Sequence, residues 1–185
     1  MTGCQNRSRA GPGRYRVRVT SLEGGGAQRS EWDARLPRKR AASGVLFRDA
    51  AGSVLLVEPS YKEHWEVPGG VVELDESPLS AARREVKEEL GLDLAEPLRL
   101  LAVDWVPPRP ERSEGMIFVF DGGVLNDKQC AGILMDRGEL RSFDFVPVEK
   151  VDSFLSPLLA RRVAESVRAL ETGEVVYLEN GLPVS

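Results

Sequence analysis

Cysteine and histidine are scarce in this chain of 185 residues, which has two cysteines and one histidine. Cys4 and Cys130 cannot build a disulfide framework or a four-ligand zinc site, so the sequence excludes a disulfide-rich secreted module. His64 stands alone among charged neighbours, which disfavours catalysis that depends on histidine. Any reactive groups must therefore be sought among other side chains.

Long apolar runs are also missing. No hydrophobic stretch approaches the ~20 residues that a transmembrane helix requires, and the first thirty residues contain no continuous apolar segment of the kind found in a secretory signal. A chain of this length fits one domain with a real core. We therefore expect a soluble protein located in the cytoplasm.

Basic residues are sparse in most of the chain and are concentrated near its start. Residues 1–40 hold ten Lys or Arg and three Asp or Glu, a net charge of +7, which leaves -11 for the remainder. The composition predicts a poorly ordered N-terminal extension over residues 1–40, with a strand-like alternation at residues 15–22. An anionic membrane or a nucleic acid is the alternative ligand for this segment. The acidic remainder suits divalent cations better than nucleic acid, and we expect no specific nucleic-acid partner.

The hydrophobic pattern changes between strand-like and helix-like periods without a regular β–α repeat. Strands are predicted at residues 42–48, 53–58, 98–106, 116–120, 140–146 and 175–178. Helices are predicted at residues 77–91 and 156–171. Residues 49–52 are typical of a hairpin, and Gly69-Gly70 of a turn between two short extended runs. The pattern indicates an α/β or α+β fold, with a mixed sheet packed against helices.

The helix predicted at residues 77–91 has clear ends and a clear core face. Ser77 is a favoured N-cap, Pro78 suits the first helical position, and Gly91 suits a left-handed C-cap. At about 100° per residue, one apolar stripe is formed by Leu79, Ala82, Val86 and Leu90. We expect this stripe to face the core.

Three carboxylates crowd the same helix beside that stripe. Glu85, Glu88 and Glu89 lie on adjacent turns and repel one another, and Arg84 can offset only part of that repulsion. A bound divalent cation with oxygen ligands, magnesium or manganese, would compensate the rest. The alternative is an ordinary solvated acidic face.

The spacing of the glycines, the arginine and the glutamates decides between a metal site and a solvated acidic face. Residues 70–92 read GVVELDESPLSAARREVKEELGL, and they match the pattern G-x5-E-x7-R-E-U-x-E-E-x-G-U, where U is aliphatic. This segment resembles the Nudix box, and the resemblance extends in outline over residues 41–180, which we expect to form a Nudix hydrolase domain. Membership implies a mixed sheet sandwiched between helices.

The resemblance also implies roles for individual residues. Glu85, Glu88 and Glu89 would be metal ligands together with the carbonyl of Gly69, and Glu76 would support a second metal or its waters. Arg84 would hold a glutamate in position. The general base would be either a box glutamate, such as Glu88 or Glu89, or an acid on the loop at residues 107–115, where the candidates are Glu111 and Glu114.

The implied reaction is hydrolysis of a nucleoside diphosphate linked to another moiety, of the ADP-ribose or nucleotide-sugar type, by water attack on phosphorus. Pro107 lies fifteen residues beyond Leu92, an offset similar to that in ADP-ribose pyrophosphatases. Arg109 and Arg112 are candidates to meet a terminal phosphate. Two alternatives stay open: a pyrophosphohydrolase that cleans the nucleotide pool, and a ligand-binding Nudix module without catalysis. The expected partner is a small nucleotide, and a homodimer is left open.

Overall fold

The computed structural model of the chain describes residues 31–94 and 97–184. The strand predicted at residues 15–22 lies outside these residues. Residues 31–37 belong to a first unit, in which Glu31–Arg35 form the short helix α1. A second unit begins at Arg38 and holds the other described elements.

Among the described residues, eight strands form one sheet in the second unit. They are β1 (Arg40–Arg48), β2 (Val54–Pro59), β3 (Gly69–Val71), β4 (Leu100–Val106), β5 (Gly115–Val124), β6 (Leu140–Val146), β7 (Val176–Glu179) and β8 (Leu182–Pro183). Their hydrogen-bonded order is β6–β2–β1–β5–β4–β7–β8, and β3 pairs with β1 beside that path. β1 and β5 are parallel, as are β4 and β7, whereas the other pairs are antiparallel. The predicted mixed sheet is therefore confirmed.

Helices cover both faces of this sheet. They are α2 (Pro78–Leu90), α3 (Asp127–Ala131), a 3-10 helix (Val148–Ser153) and α4 (Pro157–Thr172). On β1, Val45 and Phe47 belong to the buried cluster that includes Val86 of α2, whereas the intervening Leu46 belongs to the cluster that includes Val163 of α4. Alternation along one strand thus serves two cores, and each buried side chain of this size contributes about 1.5–3 kcal/mol.

The prediction for α2 is confirmed at both ends and along its buried face. The Oγ of Ser77 accepts a hydrogen bond from the amide of Ser80 at 3.1 Å, and Gly91 adopts a left-handed conformation with φ of 69°. Ala82, Val86 and Leu90 are fully buried. The sequence pattern was sufficient here because caps and apolar stripe are all local features.

The turn predicted at Gly69-Gly70 is wrong, because both glycines lie within β3 and pair with β1. Gly69 is opposite Gly44, and Gly70 is opposite Ser43. Gly69 has a φ of 142°, and a Cβ at this position would collide with the backbone carbonyl of Ser43. Gly69 is therefore needed for the close approach of two strands rather than for a reversal of the chain.

Some elements were not predicted. α3 begins after a capping box in which Asn126 and Gln129 exchange hydrogen bonds, a signature that the sequence contained. β5 extends from Gly115 to Val124, beyond the predicted residues 116–120, and β8 adds a two-residue edge strand. In the part of the chain that the structure describes, no helix is long and apolar enough to cross a membrane.

Candidate active site

A cleft of about 890 Å³ lies above the start of β1, between α2 and the beginning of α4. Its lining includes five glutamates, Glu63 and four that are here called the acidic wall: Glu66, Glu85, Glu89 and Glu139. It also includes five guanidinium groups, here called the basic wall, contributed by Arg40, Arg109, Arg112, Arg161 and Arg162. The glycines of β3 lie beside the acidic wall, and His64 also lines the cleft.

The beginning of α2 is tied directly to the strand at the base of the cleft. The hydroxyl of Ser43 on β1 donates a hydrogen bond of 2.6 Å to the carbonyl of Pro78, the first residue of α2. β3 lies between these elements in sequence and packs beside both. This hydrogen bond therefore fixes the start of the helix that carries the box glutamates against the sheet.

Glu89 is the most buried of the box glutamates, with 8% of its surface exposed. Its Oε2 accepts a hydrogen bond from the amide of Gly69 at 2.9 Å. Burial raises the pKa of Glu89 to about 8, and the neighbouring carboxylates of Glu85, Glu139 and Glu66 add to the rise, although the Gly69 hydrogen bond opposes it. Near neutral pH this carboxyl holds a proton that a cation would displace.

Glu85 lies against the backbone of β3. A Cβ on Gly70 would collide with the Glu85 carboxyl group, so the absence of a side chain at Gly70 makes room for it. Burial raises the pKa of Glu85, while its ion pair with Arg84 lowers it. The two carboxylates of α2 that face the cleft are therefore Glu85 and Glu89.

Arg84 binds several of the predicted site residues together. Its Nε and Nη2 each donate to Glu76 at 3.0 Å, and its Nη1 donates to Glu85 at 2.9 Å and to Glu88 at 3.0 Å. Its Nη2 also donates to the carbonyl of Val71 at 3.1 Å. These bonds hold the pKa of Glu76 below its usual range. Neither Glu76 nor Glu88 is among the residues that line the cleft.

The oxygen donors of the acidic wall fit a hard divalent cation. Glu85 and Glu89 are two carboxylates in a half-buried position whose repulsion a cation would relieve. In the described residues no three carboxylate, imidazole or thiol groups are gathered closely enough to form a metal centre by themselves. Magnesium commonly uses only one or two carboxylates, with waters and substrate phosphates completing its shell, so the donor set is compatible with it.

The two loop candidates for the general base lie elsewhere. Glu114 forms an ion pair with Lys39 at 2.6 Å and accepts a hydrogen bond from the indole Nε1 of Trp105 at 2.8 Å. These partners hold the pKa of Glu114 below its usual range. Glu111 is exposed in the turn that backbone hydrogen bonds close between Arg109 and Arg112. Neither glutamate is among the cleft-lining residues.

Several cleft residues were not found from the sequence. Glu66 and Glu139 are separated from the box and from each other, so only the fold brings them together. Arg162 is buried and ion-paired with Asp104 at 2.8 Å, and Asp104 also accepts the amide of Gly181 at 3.0 Å. An aspartate inside the apolar strand LLAVDWV was the available signal, because a buried charge requires a partner.

Trp65 and Trp105 are not among the residues that line the cleft. Trp65 packs edge-on against Phe154, with ring centroids 5.3 Å apart. Trp105 is engaged with Glu114 as described above. Both tryptophans thus serve packing or positioning in this structure.

Residues 37–170 match the NUDIX domain, and this match covers more than half of the chain. The chain therefore belongs to the NUDIX domain family. The resemblance read from residues 70–92 is confirmed at the level of the family, and the fold class is confirmed with it.

Individual relatives share shorter segments. A Bacillus subtilis (strain 168) protein named "Putative ADP-ribose pyrophosphatase YjhB" is 43% identical over 65 residues, which are 35% of this chain and 30% of that protein. Diphosphoinositol polyphosphate phosphohydrolase 2 of Rattus norvegicus is 48% identical over 56 residues, which are 30% of this chain and 31% of that protein. The chain thus spans about a third of the length of these relatives.

A solved structure shows the same fold over a longer range. The MutT protein from Methanosarcina mazei Go1 superposes with a TM-score of 0.56 at 23% identity, covering 75% of this chain and 99% of that structure. The likeness extends over nearly the whole of that protein, so the two chains share a fold.

Proposed function

We propose that this protein is a metal-dependent hydrolase that cleaves the diphosphate of a nucleoside diphosphate linked to another moiety, of the ADP-ribose or nucleotide-sugar type. The observation that carries the proposal is the pairing of Glu85 and Glu89 on the wall of a cleft that arginines also line. The names of the relatives, a pyrophosphatase and a phosphohydrolase, support the same class of reaction. A cytoplasmic location and a homodimer stay predictions.

Glu85 and Glu89 would hold magnesium, or manganese in its place, with the carbonyl of Gly69 as a third donor from the chain. The bound cation would neutralise charge on the phosphoryl oxygens and lower the pKa of a water. Arg84 is a positioning residue in this proposal, since it aims Glu85 while holding Glu76 and Glu88. Gly70 contributes by leaving space for the Glu85 carboxyl group.

The proposed step transfers the oxygen of water to one phosphorus and breaks the bond between that phosphorus and the bridging oxygen. The bonding electron pair stays on the bridging oxygen of the leaving phosphate. The proton that the water loses goes to a carboxylate within hydrogen-bond reach. The arginines of the basic wall orient the anionic substrate and stabilise the charge that develops on it.

Among the carboxylates, Glu139 is the best supported proton acceptor. It lines the cleft and is close enough to Glu85 and Glu89 to affect the pKa of both. Glu66 is ion-paired with Lys62 at 2.7 Å, and Glu114 with Lys39 at 2.6 Å, so each of these carboxylates is already engaged by an ammonium group. Glu139 therefore replaces the loop glutamates Glu111 and Glu114 as the candidate that we favour.

A substrate panel with phosphate and nucleoside monophosphate detection tests the proposal. The panel holds ADP-ribose, nucleotide sugars and nucleoside triphosphates, each with magnesium and with a chelator. We expect cleavage of at least one linked nucleoside diphosphate to two phosphate monoesters, and loss of that cleavage on chelation. Preferential cleavage of nucleoside triphosphates would favour the pool-cleaning alternative, and magnesium-dependent binding without cleavage would favour the binding module.

Matched glutamine variants locate the chemistry. Glu89→Gln and Glu139→Gln should each lower turnover by at least about 100-fold, the range found for removing metal or base contributions. Glu171→Gln, an exposed change at the far end of α4, is the control and should leave turnover as it is. Equal activity of all three variants would contradict the assignment of the acidic wall.

A further inference from the structure

The basic wall is larger than a metal-neutralised diphosphate requires. Its five arginines come from β1, from the loop after β4 and from α4, three segments that only the fold brings together. The chain as a whole is acidic, with a net charge of -4. Such a concentration of guanidinium groups in one cleft is therefore a local feature that the overall composition does not explain.

Most of these guanidinium groups form no ion pair with the described part of the protein. Arg162 is paired with Asp104, but Arg161 donates to the carbonyl of Asn180 at 2.8 Å, and Arg40 donates to the carbonyl of Ser113 at 3.1 Å. Both of those acceptors are uncharged. Four of the five guanidinium groups thus lack a carboxylate partner within the residues that the structure describes, since no ion pair involves Arg109 or Arg112.

The charges also act on one another. Arg112 lowers the pKa of both Arg40 and Arg162, in each case in addition to the effect of burial. Like charges held this closely destabilise the free protein and favour an anion in the space between them. Arg109 and Arg112 face each other across the closed turn of their loop, so both are presented from one edge of the cleft.

A second feature of the same wall also favours an anion. The first turn of α4, from Ser156 to Leu159, lines the cleft beside the arginines. α4 has 16 residues, so its N-terminus carries a partial positive charge. Helix end and arginines therefore point to the same kind of ligand.

We propose that the substrate carries at least one further phosphate ester besides the diphosphate that is cleaved, and that the basic wall recognises this ester. The inference rests on the proposed function, because the acidic wall and its cation are assigned to the diphosphate. Arginine is suited to the task, since its planar donors match phosphate oxygens in pairs. The substrate class is thus a phosphorylated nucleoside diphosphate derivative rather than a simple nucleotide sugar.

Matched substrate pairs test the inference. The pairs are coenzyme A with dephospho-coenzyme A, NADPH with NADH, and ADP-ribose with and without a phosphate on its distal ribose. In at least one pair we expect kcat/KM to be at least about tenfold higher for the phosphorylated member, the effect of one good charged hydrogen bond. Equal kcat/KM within every pair would overturn the inference and leave the proposed function intact.

An arginine variant assigns any preference to the basic wall. Arg112 is exposed, so the variant Arg112→Gln should fold normally. We expect it to reduce the preference for the phosphorylated member of the pair by about tenfold. Arg168→Gln, on an exposed part of α4 outside the cleft, is the matched control and should keep the preference. A preference that persists in Arg112→Gln and in the double variant with Arg109→Gln would overturn the assignment.

Binding decides the matter if no compound in the pairs is hydrolysed. Calorimetry with adenosine bisphosphate and with AMP measures the basic wall without any catalysis. Tighter binding of the bisphosphate that is lost in Arg112→Gln supports the inference even where the proposed activity fails. Equal affinity for the two ligands would overturn it.

Discussion

At the scale of single residues, Arg84 determines how the three glutamates of α2 are arranged. The sequence predicted that Glu85, Glu88 and Glu89 crowd one face and repel one another. In the structure Arg84 binds Glu85 and Glu88, while Glu89 turns into the cleft and is buried. The box glutamates that can face a cation in the cleft are therefore Glu85 and Glu89, whereas Glu88 does not line the cleft.

Glu89 should make the stability of the metal-free protein depend on pH. Its pKa is about 8 in the folded state against an ordinary value of 4.5, so the folded state binds the proton more tightly than the unfolded state does. Stability is then highest below the unfolded value and falls as pH rises through about 8. Replacing Glu89 with Gln removes the titration, so the melting temperature of Glu89→Gln minus that of the parent should grow between pH 5 and pH 8.

The control for this experiment is Glu88→Gln. Glu88 is largely exposed and paired with Arg84, so its replacement should produce a small, nearly constant difference over the same range. Adding magnesium at pH 8 should raise the melting temperature of the parent more than that of Glu89→Gln. Parallel pH profiles for Glu89→Gln and the parent would show that Glu89 is not protonated in the fold.

Gly70→Ala should damage the site more than the fold. The added Cβ would meet the Glu85 carboxyl group, which is the end of a flexible side chain and can move. We expect kcat/KM to fall at least about tenfold, which corresponds to about 1.4 kcal/mol of activation free energy. We expect the melting temperature to change by only a few degrees. The control is Gly132→Ala, whose Cβ would meet the carbonyl oxygens of Lys128 at 3.3 Å and Gln129 at 3.4 Å, a tight contact at a residue that does not line the cleft. Equal activities of the two variants would contradict the role of Gly70.

At the scale of elements, α2 shows how one helix separates chemistry from packing. Its buried residues face the sheet, and Val86 is fully buried between Ala82 and Leu90. Glu85 and Glu89 lie beside this stripe, one residue before Val86 and one before Leu90 in the chain. A small rotation of the helix about its axis would therefore move the buried stripe and the two glutamates together.

Val86→Asp should unfold the domain, whatever its effect on metal binding. A carboxylate at a fully buried position has no partner there and costs several kcal/mol, which is comparable to the stability of a whole domain. Val124→Asp introduces the same side chain at a half-exposed position at the end of β5 and serves as the control. Circular dichroism and thermal melts of the two variants measure the difference, and similar melts would contradict the predicted core face.

The predictability of each element follows the range of its interactions. α2 and α4 were found because their caps, apolar stripes and terminal glycines are neighbours in sequence. Gly69-Gly70 was misread because a strand that pairs through glycines has no side-chain pattern, and its partner lies about 26 residues earlier. The glutamates of the Nudix box were identified from their spacing. The basic wall is built from three segments that are distant in sequence, and only Arg109 and Arg112 were named as candidates from the sequence.

At the scale of the whole molecule, we propose that the unit beginning at Arg38 is the complete hydrolase domain. The two buried clusters of the described residues are built from Val45 onward. Deleting residues 1–30 removes no residue of these two clusters, so we expect the melting temperature to change by only a few degrees and kcat/KM to stay within about twofold of the parent. A large fall in either quantity would show that these residues contribute to the fold or the site.

The turn at Asn180 and Gly181 fixes two arginines of the cleft from outside it. The Asn180 carbonyl holds Arg161, and the Gly181 amide holds Asp104, which in turn holds Arg162. Two arginines of the cleft are thus anchored by a segment that lines none of it. A bulky fusion that displaces this turn should therefore change substrate selectivity, although it alters no residue that lines the cleft.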